Sequence, residues 1–144
     1  MIKLGKLTDY AIVVMGQLSG EALSAHAVST RTGVPEPTVA KVLKQLSHAK
    51  LVESTRGAGG GYRLAKPANQ TTIAEVITAM DGPIAIVSCV DDSGEVCKSQ
   101  GLCPSKGKWN RVNQAIRNAL ESVMISDMSA PRNFIKVEKH VRHE

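Results

Sequence analysis

The segment SAHAVSTRTGVPEPTVAKVLKQL, residues 24–46, decides the fold. Ser24 is placed as the N-cap of a short helix through Ala27, Val28 and Thr30, and Thr32-Gly33 breaks that helix. Pro35-Glu36-Pro37 then opens a second helix, because proline is tolerated only in a first turn. In it Val39, Val42, Leu43 and Leu46 recur at steps of three and four, which stripes one face with apolar side chains. The opposite face carries Thr38, Lys41, Lys44, Gln45 and His48. Two short helices joined by a turn, the second with a basic outer face, predict a helix-turn-helix that lays its second helix in the major groove of duplex DNA.

The flanking sequence completes a winged domain. Upstream, Thr8 is the expected cap of a helix from about Leu7 to Ser19, carrying Tyr10, Ile12, Val13, Val14, Met15 and Leu18 and stopping before Gly20. Downstream, residues 51–56 read as a strand, Gly57 to Gly61 as a tight connection and Tyr62-Arg63-Leu64 as the returning strand, which together make a hairpin wing. Thr72 caps a helix through Ile73, Val76, Ile77 and Met80 that ends at Asp81-Gly82-Pro83. Residues 84–104 are loop-like. A last long helix is expected from near Pro104 to about Met128, since Trp109, Val112, Ile116, Ala119 and Val123 form one narrow apolar stripe of the kind that pairs helices.

The predicted fold class is therefore mainly α with a small β wing. A winged helix-turn-helix spans residues 1–70, a short helix and cysteine loop 71–103, a dimerisation helix 104–128 and a flexible tail 129–144.

Charge agrees with the motif. The formal net charge is +5, and residues 1–70, with 9 Lys/Arg against 4 Asp/Glu, account for all of it; residues 71–144 hold 9 of each. Neutralising phosphates releases condensed counterions, so a basic half-chain suits a polyanionic partner. Thr38, Lys41, Lys44 and Gln45 on the recognition helix, and Arg56, Gly60, Tyr62 and Arg63 on or beside the wing, are the candidate DNA-binding residues. No apolar run reaches the roughly 20 residues that a bilayer span needs and no secretory signal opens the chain, so a cytoplasmic protein without membrane contact is expected. Nothing resembles paired catalytic carboxylates or a nucleophile triad, and the glycine run does not open a helix as a phosphate cradle does, so an enzyme is not expected.

The three cysteines, Cys89, Cys97 and Cys103, all lie in the loop, spaced by seven and five residues. An odd number cannot close into a full disulfide set, and the absence of a Cys-x-x-Cys pair disfavours structural zinc. Three thiolates on a flexible loop suit an iron–sulfur cluster, two-iron or four-iron, with a fourth ligand from elsewhere. A metal-free thiol switch and incidental thiols remain open on spacing alone.

Taken as a set, Leu7-Thr8-Asp9-Tyr10-Ala11, the segment from Arg56 through Gly57, Gly59, Gly60, Gly61 and Tyr62 to Leu64, and three cysteines ahead of a long helix resemble the Rrf2 family of bacterial winged-helix regulators over roughly residues 1–128. Within that family, Asp81-Gly82-Pro83-Ile84-Ala85, Cys103-Pro104, Trp109 and Ile125-Ser126-Asp127-Met128 are most similar to the branch regulating the SUF iron–sulfur assembly system, alongside the NsrR and IscR branches. The resemblance implies a homodimer bound to double-stranded promoter DNA, a cluster on the cysteine loop, and regulation, as repressor or activator, of cluster-assembly or stress genes. It leaves a nitric-oxide-responsive or thiol-redox regulator as the alternative. IscR-like members place a histidine three residues after the last cysteine, but Lys106 stands there and has no lone pair while protonated. NsrR-like members use an aspartate matching Asp9 of the partner subunit, which makes Asp9 the favoured fourth metal ligand, with Glu95, His26 and small-molecule thiols as rivals.

Overall fold

A computed structural model describes residues 1–90, 97–99 and 101–129. Its elements run α1 (Lys6–Gln17), α2 (Ala25–Thr32), α3 (Glu36–His48), β1 (Val52–Thr55), β2 (Gly61–Leu64), α4 (Ile73–Asp81), α5 (Trp109–Glu121) and α6 (Ile125–Ser129), with 3-10 turns at Ala68–Gln70 and Ser88–Val90. The fold is mostly helical with a small antiparallel wing. Among the described residues no helix is long and apolar enough to cross a membrane.

Local chemistry accounts for the ends of α2 and the start of α4. The Ser24 hydroxyl accepts from the Ala27 N–H at 3.1 Å to open α2, and Gly33, at φ 75°, closes it in the left-handed conformation that glycine tolerates. Thr72 and Glu75 form a reciprocal capping box on α4. The start of α1 differs from expectation: Gly5 occupies the N-cap, and Thr8 lies two residues inside the helix, fully buried. Its hydroxyl is committed elsewhere, to Asp81.

β1 and β2 pair in the register Val52↔Leu64, Glu53↔Arg63, Ser54↔Tyr62 and Thr55↔Gly61. Leu23 adds a further rung, its N–H donating to the Tyr62 carbonyl at 2.9 Å and its carbonyl accepting from the Tyr62 N–H at 2.7 Å. The wing is thereby fastened to the segment that leads into α2. Beneath it Met15, Val28, Val39, Val42, Leu43 and Leu46 are fully buried in one core with Val76 and Ile125.

The single helix expected from Pro104 to Met128 is instead two. Residues 104–108 form turns, with Gly107 at φ 75°, and the helical path breaks between Glu121 and Ile125. Backbone pairing explains the break. Ile73 N–H donates to the Val123 carbonyl at 2.9 Å, Ile125 N–H donates to the Thr71 carbonyl at 2.9 Å, and the Asp127 carboxylate accepts from Met124 N–H at 2.8 Å. These bonds replace the helical ones lost at the break and drive Ile125 to full burial. α6 packs on α1 closely enough that a Cβ on Gly16 would meet Ser129 Cβ at 3.3 Å. The expected flexible tail falls on residues 130–144, outside the described residues, apart from Ser129, which closes α6.

Candidate nucleic-acid interface and cysteine segment

The periodicity of α3 sorts its residues as the apolar stripe requires. Val39, Val42, Leu43 and Leu46 are fully buried, whereas Ala40, Lys41, Lys44 and His48 are exposed and Thr38 is half-buried. Gln45 differs from its neighbours: it is half-buried, and its amide oxygen is enclosed without a hydrogen-bond partner among the described residues. A groove lined by Ala40, Lys44, Ser47, His48, Ser54 and Tyr62 runs between the outer face of α3 and the wing. Sequence reading gave no sign of this groove, because it is made by two elements that only the fold brings together.

The ion pairs decide which cations are available. Arg31 is bonded to Glu21 at 2.7 Å, and Arg63 is bonded through two guanidinium nitrogens to Glu53 Oε2 at 3.2 and 3.1 Å, directly across the hairpin. His26 lies 2.9 Å from Glu36. Lys41, Lys44, Lys50 and Arg56 make no ion pair with other described residues, so they carry the uncompensated positive charge of α3 and the wing. Arg63 is reached by the hairpin register but is held by its own strand partner.

The wing glycines are sterically required. A Cβ on Gly60 would lie 2.6 Å from the Thr55 carbonyl oxygen and 2.8 Å from that of Gly57, and one on Gly61, at φ 153°, would lie 2.6 Å from the Leu23 backbone. Tyr62 is half-buried and packs on the core, so its ring supports the wing from beneath.

The cysteine segment is anchored at its root. Thr8 Oγ1 bonds Asp81 at the end of α4, and the buried Asn113 of α5 accepts from Ile86 N–H at 3.1 Å and donates to the Ile84 carbonyl at 2.9 Å. Beyond this clamp Cys89 is exposed on the Ser88–Val90 turn, while Cys97 and Cys103 are half-buried, and all three thiols are free. Asn113 escaped the sequence reading, since one amide inside an amphipathic helix carries no local signal.

The structure does not gather the proposed ligands. Among the described residues no three His, Cys, Asp or Glu side chains stand close enough to hold a metal ion. Asp9 is exposed in the first turn of α1, beside Lys3, Leu4, Gly5 and Lys6. Glu95, with Asp91 and Asp92, lies outside the described residues. The donor chemistry nonetheless suits a cluster, because the three sulfurs are uncommitted to disulfides and lie within one short stretch of chain, residues 89–103.

The surroundings of Glu75 displace its pKa from the ordinary value. Burial pushes its pKa up, but the ammonium of Lys66 and the N–H and hydroxyl of Thr72 outweigh that and hold it below the ordinary value of 4.5.

The chain matches the family described as Rrf2, iron-dependent transcriptional regulator, over residues 4–131. It is 28% identical over 132 residues to an HTH-type transcriptional regulator of Mycobacterium tuberculosis, an overlap of 89% of this chain and 81% of that protein. Its fold is similar to that of CymR, the global cysteine regulator of B. subtilis, at TM-score 0.72 and 27% identity, over 90% of this chain and 97% of that one. IscR of T. potens has a similar fold at TM-score 0.65 and 24% identity, over 88% of this chain and 85% of that one.

Proposed function

The chain belongs to the Rrf2 family of transcriptional regulators, and from that premise we propose that it reads promoter DNA with α3 and the wing while Cys89, Cys97 and Cys103 hold an iron–sulfur cluster whose presence sets the affinity. The family is one of transcriptional regulators, not of enzymes. The observation that carries the DNA reading is the uncompensated charge of Lys41 and Lys44 on the outer face of the second helix-turn-helix helix, with Arg56 on the wing beside it. Those cations meet phosphates and position the helix, and Thr38 and Ala40 at its start face the base edges.

Two copies are part of the proposal. Trp109 and Val112 remain 40% and 44% exposed on α5, whereas Leu120 of the same helix and Val123 just beyond it lean on the chain's own core. The exposed end of the stripe is the surface on which a second α5 would pack, setting two recognition helices about one helical turn of DNA apart. When bound, a cluster supplies a covalent, oxygen-labile cross-link among sulfur ligands. Cys89, Cys97 and Cys103 would hold it, with Asp9 of the partner subunit as the proposed fourth ligand. The segment they occupy follows Asp81, which is bonded to α1, so a cluster held there is linked to the packing beneath α3. Genes for iron–sulfur assembly are the proposed targets, as in the SUF-regulating branch.

A second reading is favoured by the likeness to CymR, which is named for cysteine regulation, and by the exposure of Cys89. In it the thiols act without metal, by reversible oxidation. One experiment separates the two. Protein purified without oxygen is assayed for iron and sulfide, its absorption spectrum is recorded, and its affinity for promoter fragments of iron–sulfur assembly genes is measured before and after chelation. The cluster reading expects bound iron and sulfide and a changed affinity on their removal. Colourless protein whose affinity responds to peroxide alone supports the thiol reading, and equal affinity throughout refutes both switches.

A further inference from the structure

We propose that the cavity of about 520 Å3 between the end of α3, α4 and α5 is a second effector site that takes a free amino acid with an apolar side chain. Its size falls within the roughly 300–1,000 Å3 of small-molecule sites. Leu51, Ala74 and Ile84 provide the apolar part of its lining, and the charged part comes from Glu75, Arg117 and Glu121. Glu75 is already engaged by Lys66 and by the amide and hydroxyl of Thr72, which leaves one cation and one anion to recognise a ligand.

These two side chains suit a zwitterion. Arg117 Nε stands 3.9 Å from Glu121 Oε1, too long for a hydrogen bond, and the two side chains are 44% and 51% exposed. A surface pair one turn apart is worth only a few tenths of a kcal/mol, so a ligand that offers each group a direct partner displaces it readily. A carboxylate matches the guanidinium fork, and an ammonium on the adjacent carbon matches the Glu121 carboxylate. The side chain of the amino acid then lies against the apolar lining.

A second copy of the chain does not compete for this place. At about 100° per residue, Arg117 and Glu121 fall on one shoulder of the inward face of α5, and Val112 and Ala119 on the other. Val112 is therefore turned away from the cavity, and Trp109, near the middle of that face, lies about two turns along α5 from Arg117. Ala49 and Leu51 follow α3 directly, so an occupant touches the root of the recognition helix and α5 together, which links occupancy to DNA affinity.

The test uses the full-length protein free of iron and DNA, titrated calorimetrically with L-methionine. N-acetyl-L-methionine, which lacks the ammonium, and L-methioninol, which lacks the carboxylate, probe the two charges without altering the protein. We expect saturable binding of L-methionine, weakened about tenfold or more for each probe and for the Arg117→Gln and Glu121→Gln variants, as loss of a charge-assisted bond demands. No saturable binding, or equal binding of all three compounds, overturns the proposal, including the case in which a partner helix fills the cavity. Undiminished binding in both variants also overturns it. Because neither metal nor promoter is present, failure here leaves the cluster reading untouched.

Discussion

Thr8 Oγ1 donates a 2.7 Å hydrogen bond to Asp81 Oδ2, joining the first turn of α1 to the last residue of α4 across 73 positions of sequence. Thr8 is fully buried and Asp81 is at the surface, so the bond runs from the core outward. On one side of it stands Asp9, and on the other Gly82, where the cysteine segment begins. The two regions proposed to cooperate in sensing thus share a fixed point within each protomer.

Replacing Thr8 with Val keeps the shape of the side chain and removes its donor. The Asp81 carboxylate regains water when released, so the expected loss is a net hydrogen bond of about 1 kcal/mol rather than the cost of a stranded buried charge. Urea unfolding of Thr8→Val against the wild type measures it. An unchanged midpoint would show that the bond contributes nothing.

Asn113 is the second fixed point, and its loss strands two backbone groups. Asn113→Ala leaves the Ile84 carbonyl and the Ile86 N–H without the partners found at 2.9 and 3.1 Å. About 1–3 kcal/mol of stability is expected to go with them. Hydrogen exchange at the Ile86 amide should accelerate in the variant while the amides of α3 keep their protection. Equal acceleration in both places would mean that the clamp is merely part of the global core.

The helix-turn-helix and wing were legible because their signals are local: a capping serine, a glycine in the left-handed region, prolines in a first turn and apolar steps of three and four. The split of the last helix was not, because Thr71, Ile73, Val123 and Ile125 exchange backbone bonds over some fifty residues while their side chains continue a helical pattern. Thr8 misled for a related reason. Threonine before an apolar run reads as a cap, and only the arrival of α4 gives its hydroxyl a better partner. The three cysteines could be picked out as a set, but their relation to Asp9 depends on a second chain and lies beyond any single-chain pattern.

The ion pairs rank the basic residues as DNA contacts. Lys41→Ala and Lys44→Ala should each weaken binding to specific and unrelated duplexes alike and lower the slope of log affinity against log salt by about 1. Arg63→Ala should change that slope less, because its guanidinium is already bonded to Glu53. Fluorescence anisotropy over a salt series checks the order. A slope for Arg63→Ala that falls more than those of the lysines would mean that DNA displaces Glu53.

Gly61→Ala tests the attachment of the wing. The new methyl would sit 2.6 Å from the Leu23 carbonyl carbon and oxygen, both backbone atoms, at a φ of 153° that L-residues rarely adopt. The hairpin must shift away from Leu23, giving up the two bonds between Leu23 and Tyr62. A loss of about 3 kcal/mol or more is expected, from strain and two hydrogen bonds together. Gly20→Ala, where an added Cβ meets nothing within 4 Å, is the matched control and should lie within about 0.5 kcal/mol of the wild type.

Glu75 makes the acid limb of stability predictable in sign. Burial raises its pKa, but the bonds from Lys66 and Thr72 prevail, so the folded-state value lies below the ordinary 4.5 of the unfolded chain. The folded protein therefore binds this proton less readily than the unfolded one, and the carboxylate contributes stability above pH 4.5 that is lost as pH falls through the lower folded value. Glu75→Gln removes both the contribution and its titration. The gap in urea midpoint between wild type and Glu75→Gln should hold constant from neutral pH to 4.5 and narrow below it. A gap that widens on acidification would mean that desolvation, not the Lys66 ammonium, governs this site.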